Sequence, residues 1–234
     1  MEVFWRLVLS HLIADFVLQT NWINKMKRKS IKGVIVHVII HFVVTYLILM
    51  PYLGSIWFEF GGFKLNGYFM VFLICLVHLM VDEMRIYIIN RRIYDDNTVS
   101  FLIDQFLHFY FIFMFTPFKD ILPSFRGEKI VMILTFLVMI AHTTTIFIYY
   151  IEKDLKGLPF PSFDQKYFMI FERIVIWAFF LMNGWGWLFF LILWIIQLYY
   201  LRMKRIIDIT NLNFYLSIII SVIFGLITRY YYYL

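Results

Sequence analysis

The chain has 234 residues, of which 63% are apolar, 22% aromatic and only 15% charged, with a formal net charge of +6. A water-soluble surface needs about a quarter to a third charged residues. This composition therefore excludes a soluble domain, a disordered chain, a disulfide scaffold and a basic nucleic-acid-binding domain. It fits an integral membrane protein, in which the basic excess reads as topology and nucleic acid is not an expected partner.

Apolar runs over 3–20, 34–58, 67–89, 99–118, 128–151, 171–201 and 212–233 predict an all-α, polytopic protein with about seven transmembrane segments. About 20 apolar residues cross a bilayer as a helix. Helix is the expected form because lipid offers no partner for the backbone, and a barrel would need short alternating strands. The first run is interrupted by His11 and Asp15, with no basic stretch before it and no small-residue cleavage site after it. It reads as a membrane segment rather than a removable leader. The basic stretch 21–33 (Lys25, Lys27, Arg28, Lys29, Lys32) reads as a short cytoplasmic loop. Lone Cys75 allows no internal disulfide.

In the back half, Gly157–Pro161 marks a loop, and His142 beside Thr143, Thr144 and Thr145 reads as a helix contact. The 31-residue run 171–201 opens with Glu172 and Arg173, read as an ion pair, and is broken by Asn183-Gly184-Trp185-Gly186. A straight helix of that length would run about 46 Å, longer than the hydrocarbon core, so a hairpin or re-entrant segment is expected. With the N-terminus outside, one span places 13 Lys/Arg inside against 8 outside. A hairpin moves Arg202, Lys204 and Arg205 inside and Arg229 out, giving 15 against 6, the split that the positive-inside rule favours. Tyr230–Tyr233 and the tryptophans read as interfacial belt residues. The expected organisation is a four-helix His/Asp bundle over 1–118 and a transmembrane back half over 119–234.

All six histidines lie in apolar runs. Five of them fall in pairs of one spacing: His11 with Asp15, His37 with His41, His78 with Asp82, and Asp104 with His108. Residues i and i+4 share a helix face one turn apart. If four helices alternate from an outer N-terminus, every pair falls about 5–16 Å from the cytoplasmic helix ends, in one slab of the inner leaflet. An aspartate at a helix centre costs about 2.5–3.5 kcal/mol on insertion scales, and few basic residues share that depth. A divalent transition metal would compensate the aspartates and account for the histidines together. Eight candidate ligands (His11, Asp15, His37, His41, His78, Asp82, Asp104 and His108) exceed one tetrahedral zinc and suit two ions with a bridging aspartate. Nitrogen-rich ligation favours zinc, manganese or iron over magnesium or calcium. Gln19 continues the His11–Asp15 face, Gln105 adjoins Asp104, and Arg85 follows Asp82 by three residues. Each is placed to orient a ligand or clamp an anionic substrate group; interhelical hydrogen bonds and snorkelling are the alternatives. A bundle held by His–Asp hydrogen bonds, or a proton pathway, is the metal-free reading.

The ordered motifs HLIADFVLQTNW (11–22), HVIIH (37–41), HLMVDEMR (78–85) and DQFLH (104–108) resemble a bacterial integral-membrane family catalogued in the domain-of-unknown-function series under number 3307. The resemblance covers about residues 5–110, and more loosely FER at 171–173 and the region 197–220. It implies a multi-spanning protein of the bacterial inner membrane with a polar His/Asp core, and it carries no activity. A more distant similarity, in motif style only, is to membrane-bound metal-dependent hydrolases with HxxxD-type pairs.

The expected function is a membrane-embedded metal-dependent hydrolase acting on a lipid-like or amphipathic ester or phosphoester. Any of Asp15, Asp82 and Asp104 left unligated would serve as general base. The alternatives are a di-iron oxidase or desaturase, a metal or proton transporter, and a membrane protein with a structural metal. HVIIH has the HxxxH form of the di-iron enzymes, whereas a total of six histidines and the absence of a His-His pair count against that reading. An oligomer is left open.

Overall fold

The computed structural model describes residues 2–117, 128–204 and 209–233, which form two compact units, Met1–Thr135 and Phe136–Leu234. The boundary expected at 118/119 lies outside the described residues. Among the described residues the chain is all-α apart from one small hairpin, and four helical stretches are long and apolar enough to cross a membrane: Ile31–Tyr52, Lys129–Lys156, Gly186–Met203 and Asn211–Tyr233. A bent pair near the N-terminus makes a fifth if counted as one span. These helices are compatible with a multi-pass membrane protein.

In the first unit, α1 (Glu2–Leu12) runs into a single π-turn, Ile13–Val17, that carries Asp15. The chain then bends by 90° into α2 (Asn21–Lys29). The Thr20 hydroxyl caps α2 by accepting from Ile23 N at 3.3 Å. The stretch expected as a loop over 21–33 is thus mostly helix. Ile23 and Lys27, one turn apart, share its buried face, while Trp22, Lys25, Arg28 and Lys29 are exposed. This is the pattern of a helix lying in a membrane interface.

Extended Ser30 ends α2 and starts α3 (Ile31–Leu49), which continues through a 3-10 turn to Tyr52. The apolar run expected as helix to residue 58 therefore stops early. Beyond Gly54, β1 (Ile56–Phe60) pairs antiparallel with β2 (Phe63–Asn66). Gly61 and Gly62, at φ 55° and 87°, supply the two left-handed positions a tight hairpin turn requires. Asn66 caps α4 (Gly67–Asn90), and an Asn97–Ser100 capping box starts α5 (Thr98–Met114). Helices α1, α3, α4 and α5 pack around the unit's polar centre, with α2 against α3 and α4.

Helix α6 (Glu128–Val138) leads through a second π-turn, Met139–Thr143, which holds His142, into α7 (Thr144–Lys156). Left-handed Gly157 ends α7. The second unit continues with α8 (Phe163–Phe179), α9 (Gly186–Met203) and α10 (Asn211–Tyr233). The run 171–201 is two helices broken around Gly184, as its glycines predicted, although the first of them begins already at Phe163. Arg229 holds the break by donating to the carbonyls of Phe180, Met182 and Gly184 at 3.0, 2.7 and 2.9 Å. Arg205, used in the charge count, lies outside the described residues. The expected Glu172–Arg173 pair does not form, because neighbours on a helix point apart. Glu172 accepts from Trp194 Nε1 at 2.9 Å, and buried Arg173 donates to the Ala141 carbonyl at 3.2 Å and to Thr145 Oγ1.

Candidate metal centre

The four i,i+4 pairs converge in the first unit. Ring centroids of His41 and His78 lie 3.9 Å apart, those of His78 and His108 4.1 Å, and those of His11 and His108 5.1 Å. His11, His37, His41, His78, His108, Asp82 and Asp104 are all buried. Three sets of donors among the described residues can hold a metal ion: Asp15 with His37, His41 and His78; His11 with Asp15 and His108; and His78 with Asp82 and His108. Seven of the eight expected ligands belong to these sets. Asp104 belongs to none of them.

The donor spacing supports the fit. Asp15 Oδ1 lies 2.9 Å from His37 Nε2, 2.9 Å from His41 Nε2 and 3.8 Å from His78 Nε2. His37 Nε2 lies 3.1 Å from His41 Nε2 and 3.4 Å from His78 Nε2. Around an ion about 2.0–2.1 Å from each donor, tetrahedral neighbours are about 3.4 Å apart and octahedral ones about 3.0 Å. The observed edges scatter about those values. Without a cation, three imidazole nitrogens would confront one another around one carboxylate oxygen. The π-turn presents the other oxygen of Asp15 elsewhere, with Oδ2 3.5 Å from His11 Nε2. His37 Nδ1 and both ring nitrogens of His108 have no hydrogen-bond partner among the described residues. Unsatisfied polar groups of that kind are costly in an apolar interior. A cavity of about 20 Å³ adjoins His11, His41, His78 and His108, with Ser10 and Thr45 on its wall.

The surrounding side chains hold this arrangement. Gln105 faces three members at once: its Oε1 is 3.4 Å from His11 Nε2, and its Nε2 donates to Asp15 Oδ2 at 3.4 Å and Asp104 Oδ2 at 3.1 Å. Arg85 bridges Asp104 Oδ2 at 3.3 Å and Asp96 Oδ1 at 3.0 Å. Asp96 Oδ2 in turn receives Arg28 at 2.7 Å. Asp104 Oδ1 is buried and has no hydrogen-bond partner among the described residues. His142 belongs to the second unit and to none of these sets.

The expectation that few cations share the aspartates' level is corrected. Lys27, only 8% exposed, reaches Asp82 Oδ2 at 2.8 Å, and Gln19 Oε1 accepts from the same ammonium at 3.1 Å. Reading the basic stretch as a loop hid this lysine. Its sequence signal was the Ile23–Lys27 spacing of four, which puts the two on one face of a helix. Gly33 makes the approach feasible, since a Cβ there would stand 2.2 Å from the Met26 carbonyl carbon and 2.5 Å from Lys27 N. Gly33→Leu is expected to push α2 away and withdraw Lys27. A cysteine placed at residue 27 in that background should then react with a water-soluble maleimide about tenfold faster than in the Gly33 parent, the opening free energy having dropped by about 1.4 kcal/mol. Equal reaction rates would show that α2 does not depend on the close approach.

Comparison with curated proteins and with solved structures finds no match. The family model described as a protein of unknown function (DUF3307) matches residues 3–132. That segment spans more than half of the chain and holds every candidate ligand, and the chain belongs to this family.

Proposed function

We propose that the protein is a membrane-embedded metal-dependent hydrolase that cleaves a lipid-like or amphipathic ester or phosphoester. The observation that carries this reading is Asp15. One carboxylate, its side chain 8% exposed, faces His37 and His41 with one oxygen and His11 with the other. A carboxylate so placed can bridge two ions. Two-metal sites activate water and stabilise charge on the oxygens of an ester under attack.

This chain's own residues then take defined roles. Asp15, His37, His41 and His78 would hold one ion, and His11 and His108, with Asp15, a second, the ions supplying the activation of water and the stabilisation of oxyanion charge. Asp82 adjoins His78 and His108 and is held by Lys27. Asp104, outside the ligand sets and with Oδ1 unpartnered, accepts the proton of the attacking water. The water oxygen bonds to phosphorus or the acyl carbon, the ester C–O or P–O bond breaks, and the proton passes from Asp104 to the leaving alkoxide. The products are an alcohol and a phosphate or carboxylate. The finer topology belongs to the same proposal: about seven segments in a bacterial inner membrane, an outer N-terminus, and the site in the cytoplasmic leaflet beside α2.

The Lys27–Asp82 and Arg85–Asp104 pairs favour a second reading, a polar core that neutralises two of its aspartates without metal. Elemental mass spectrometry on detergent-purified protein separates the two. The hydrolase reading expects about two ions of zinc or manganese per chain and turnover of a lipid ester or phosphoester that a chelator abolishes. Stoichiometric iron with oxygen-dependent change of lipid chains would instead identify an oxidase. A metal-free protein with unchanged folding would leave the polar core.

A further inference from the structure

The hairpin between α3 and α4 presents an apolar face whose tip is uncovered among the described residues. Phe58 pairs with Leu65, Glu59 with Lys64 and Phe60 with Phe63. Residues directly opposite one another share a face of the sheet, and successive ones alternate. One face is therefore Phe58, Phe60, Phe63 and Leu65, and the other is Glu59 and Lys64. Phe60 and Phe63, at the tip, are 86% and 77% exposed. On the charged face, exposed Glu59 Oε1 and Lys64 Nζ lie 3.9 Å apart. The base of the hairpin is fixed to its unit. The register slips at Trp57, which is buried and donates from Nε1 to the Tyr52 carbonyl at 3.0 Å. Gly67 N and Tyr68 N donate to the carbonyls of Ser55 and Leu53 at 3.0 and 3.1 Å.

The span that precedes the hairpin sets its level. Helix α3 and its 3-10 end, Ile31–Tyr52, hold 22 residues. At 1.5 Å per residue they run about 33 Å, against about 30 Å of hydrocarbon. Amphipathic α2 comes just before this stretch and the hairpin just after it, so the two lie at opposite ends of one span. With α2 in one interface, the hairpin stands at the other. Tyr52 Oη donates to Glu2 Oε2 at 2.5 Å, which brings the start of α1 to the same level. At that level an aromatic face suits the acyl boundary and an ion pair suits the headgroups. The face is too small for a second copy of the chain. Five residues at 3.4 Å each and strands 4.8 Å apart give about 17 by 10 Å, whereas a stable complex buries about 800 Å² per partner.

We propose that the hairpin is a membrane anchor that lies in the lipid interface of the leaflet opposite α2. Phe60 and Phe63 insert at the acyl boundary of the phospholipids, and Glu59 and Lys64 turn toward the headgroups. The hairpin and α2 then hold α3 at a fixed depth from its two ends. This inference rests on α3 as a membrane span and is independent of the hydrolase reading.

The test uses the full chain in phosphatidylcholine nanodiscs, one chain per disc. The fluorophore NBD is placed on one introduced cysteine at a time: Phe60→Cys, Phe63→Cys, Glu59→Cys or Lys64→Cys. The parent chain, whose Cys75 is buried, gives the background. At 60 and 63, iodide in the water should quench several-fold less than at 59 and 64, and a nitroxide on the upper acyl chain of the lipid several-fold more. The same probe on both faces cancels its own affinity for lipid. A second measurement keeps the phenylalanines in place. A phosphatidylcholine with a diazirine on its acyl chain should label the parent within residues 56–66, and Phe60→Ser/Phe63→Ser should lower that labelling several-fold with an unchanged thermal midpoint. Equal iodide access at all four positions would show the hairpin standing in water and overturn the proposal. Shielding from iodide without nitroxide quenching would mean cover by the protein itself and would overturn it too, as would a parent hairpin that the lipid does not label.

Discussion

Asp15→Asn is expected to empty the centre while making the metal-free protein more stable. Asn keeps the shape of the side chain and loses the charge that both sets of histidines share. Changes next to metal ligands cost about 10–100-fold in affinity, and removal of a charge common to two sets should exceed the upper end of that range. Asp15 has two histidine nitrogens at 2.9 Å and, among the described residues, no lysine or arginine as an ion-pair partner. In the metal-free protein its ion-pair partners among the described residues are imidazole nitrogens alone, and relief of the desolvation penalty of the charge, several kcal/mol per ion, should stabilise the variant. In the metal-loaded protein the order reverses, because ion binding stabilises only the parent. Thermal midpoints with and without added zinc should therefore cross between parent and variant. If Asp15→Asn melts below the parent under both conditions, the carboxylate serves packing or hydrogen bonding and the metal centre is not its purpose.

Lys27→Met should produce the second large effect, with the opposite sign in the metal-free protein. The variant keeps the length of the side chain and leaves Asp82 without the ammonium at 2.8 Å. Breaking one side of a buried pair costs about 3–5 kcal/mol, because the remaining charge stays buried. Saturating metal should recover part of this loss, since Asp82 lies 3.5 Å from His78 Nε2 and joins a donor set with it. The double variant Lys27→Met/Asp82→Asn removes both charges. Its metal-free stability should return to within about 1 kcal/mol of the parent, so the two single effects should be far from additive. Additive losses in that cycle would show that Lys27 and Asp82 do not act as a pair. The comparison also separates Lys27 from the other basic residues of α2. Lys25 and Lys29 are exposed, and their substitution should change membrane-surface affinity rather than the centre.

How much of this was legible in the sequence depends on the range over which each interaction acts. Apolar composition and run length predicted long apolar helices compatible with a membrane protein, because a bilayer imposes its thickness and its lack of hydrogen-bond partners locally on every segment. The i,i+4 spacing of the His/Asp pairs predicted four polar faces, since helix geometry alone puts such residues on one side. The glycines at 184 and 186 predicted the break in run 171–201 for an equally local reason. The 21–33 stretch escaped because charge density there masks an amphipathic helix, and local hydropathy cannot distinguish a snorkelling lysine from one folded inward. That Lys27 is the lysine turned toward Asp82 was decided by the tight contact of Gly33 with the backbone of α2, a contact between helices. Tertiary packing likewise turned the two oxygens of Asp15 toward different histidines and left Asp104 outside every donor set. The sequence by itself determined which histidines and aspartates stand together on one face of each helix. Only the tertiary structure decided which of them come close enough to hold a common ion, because donor distances of 3–4 Å depend on helix rotation and crossing that no single helix encodes.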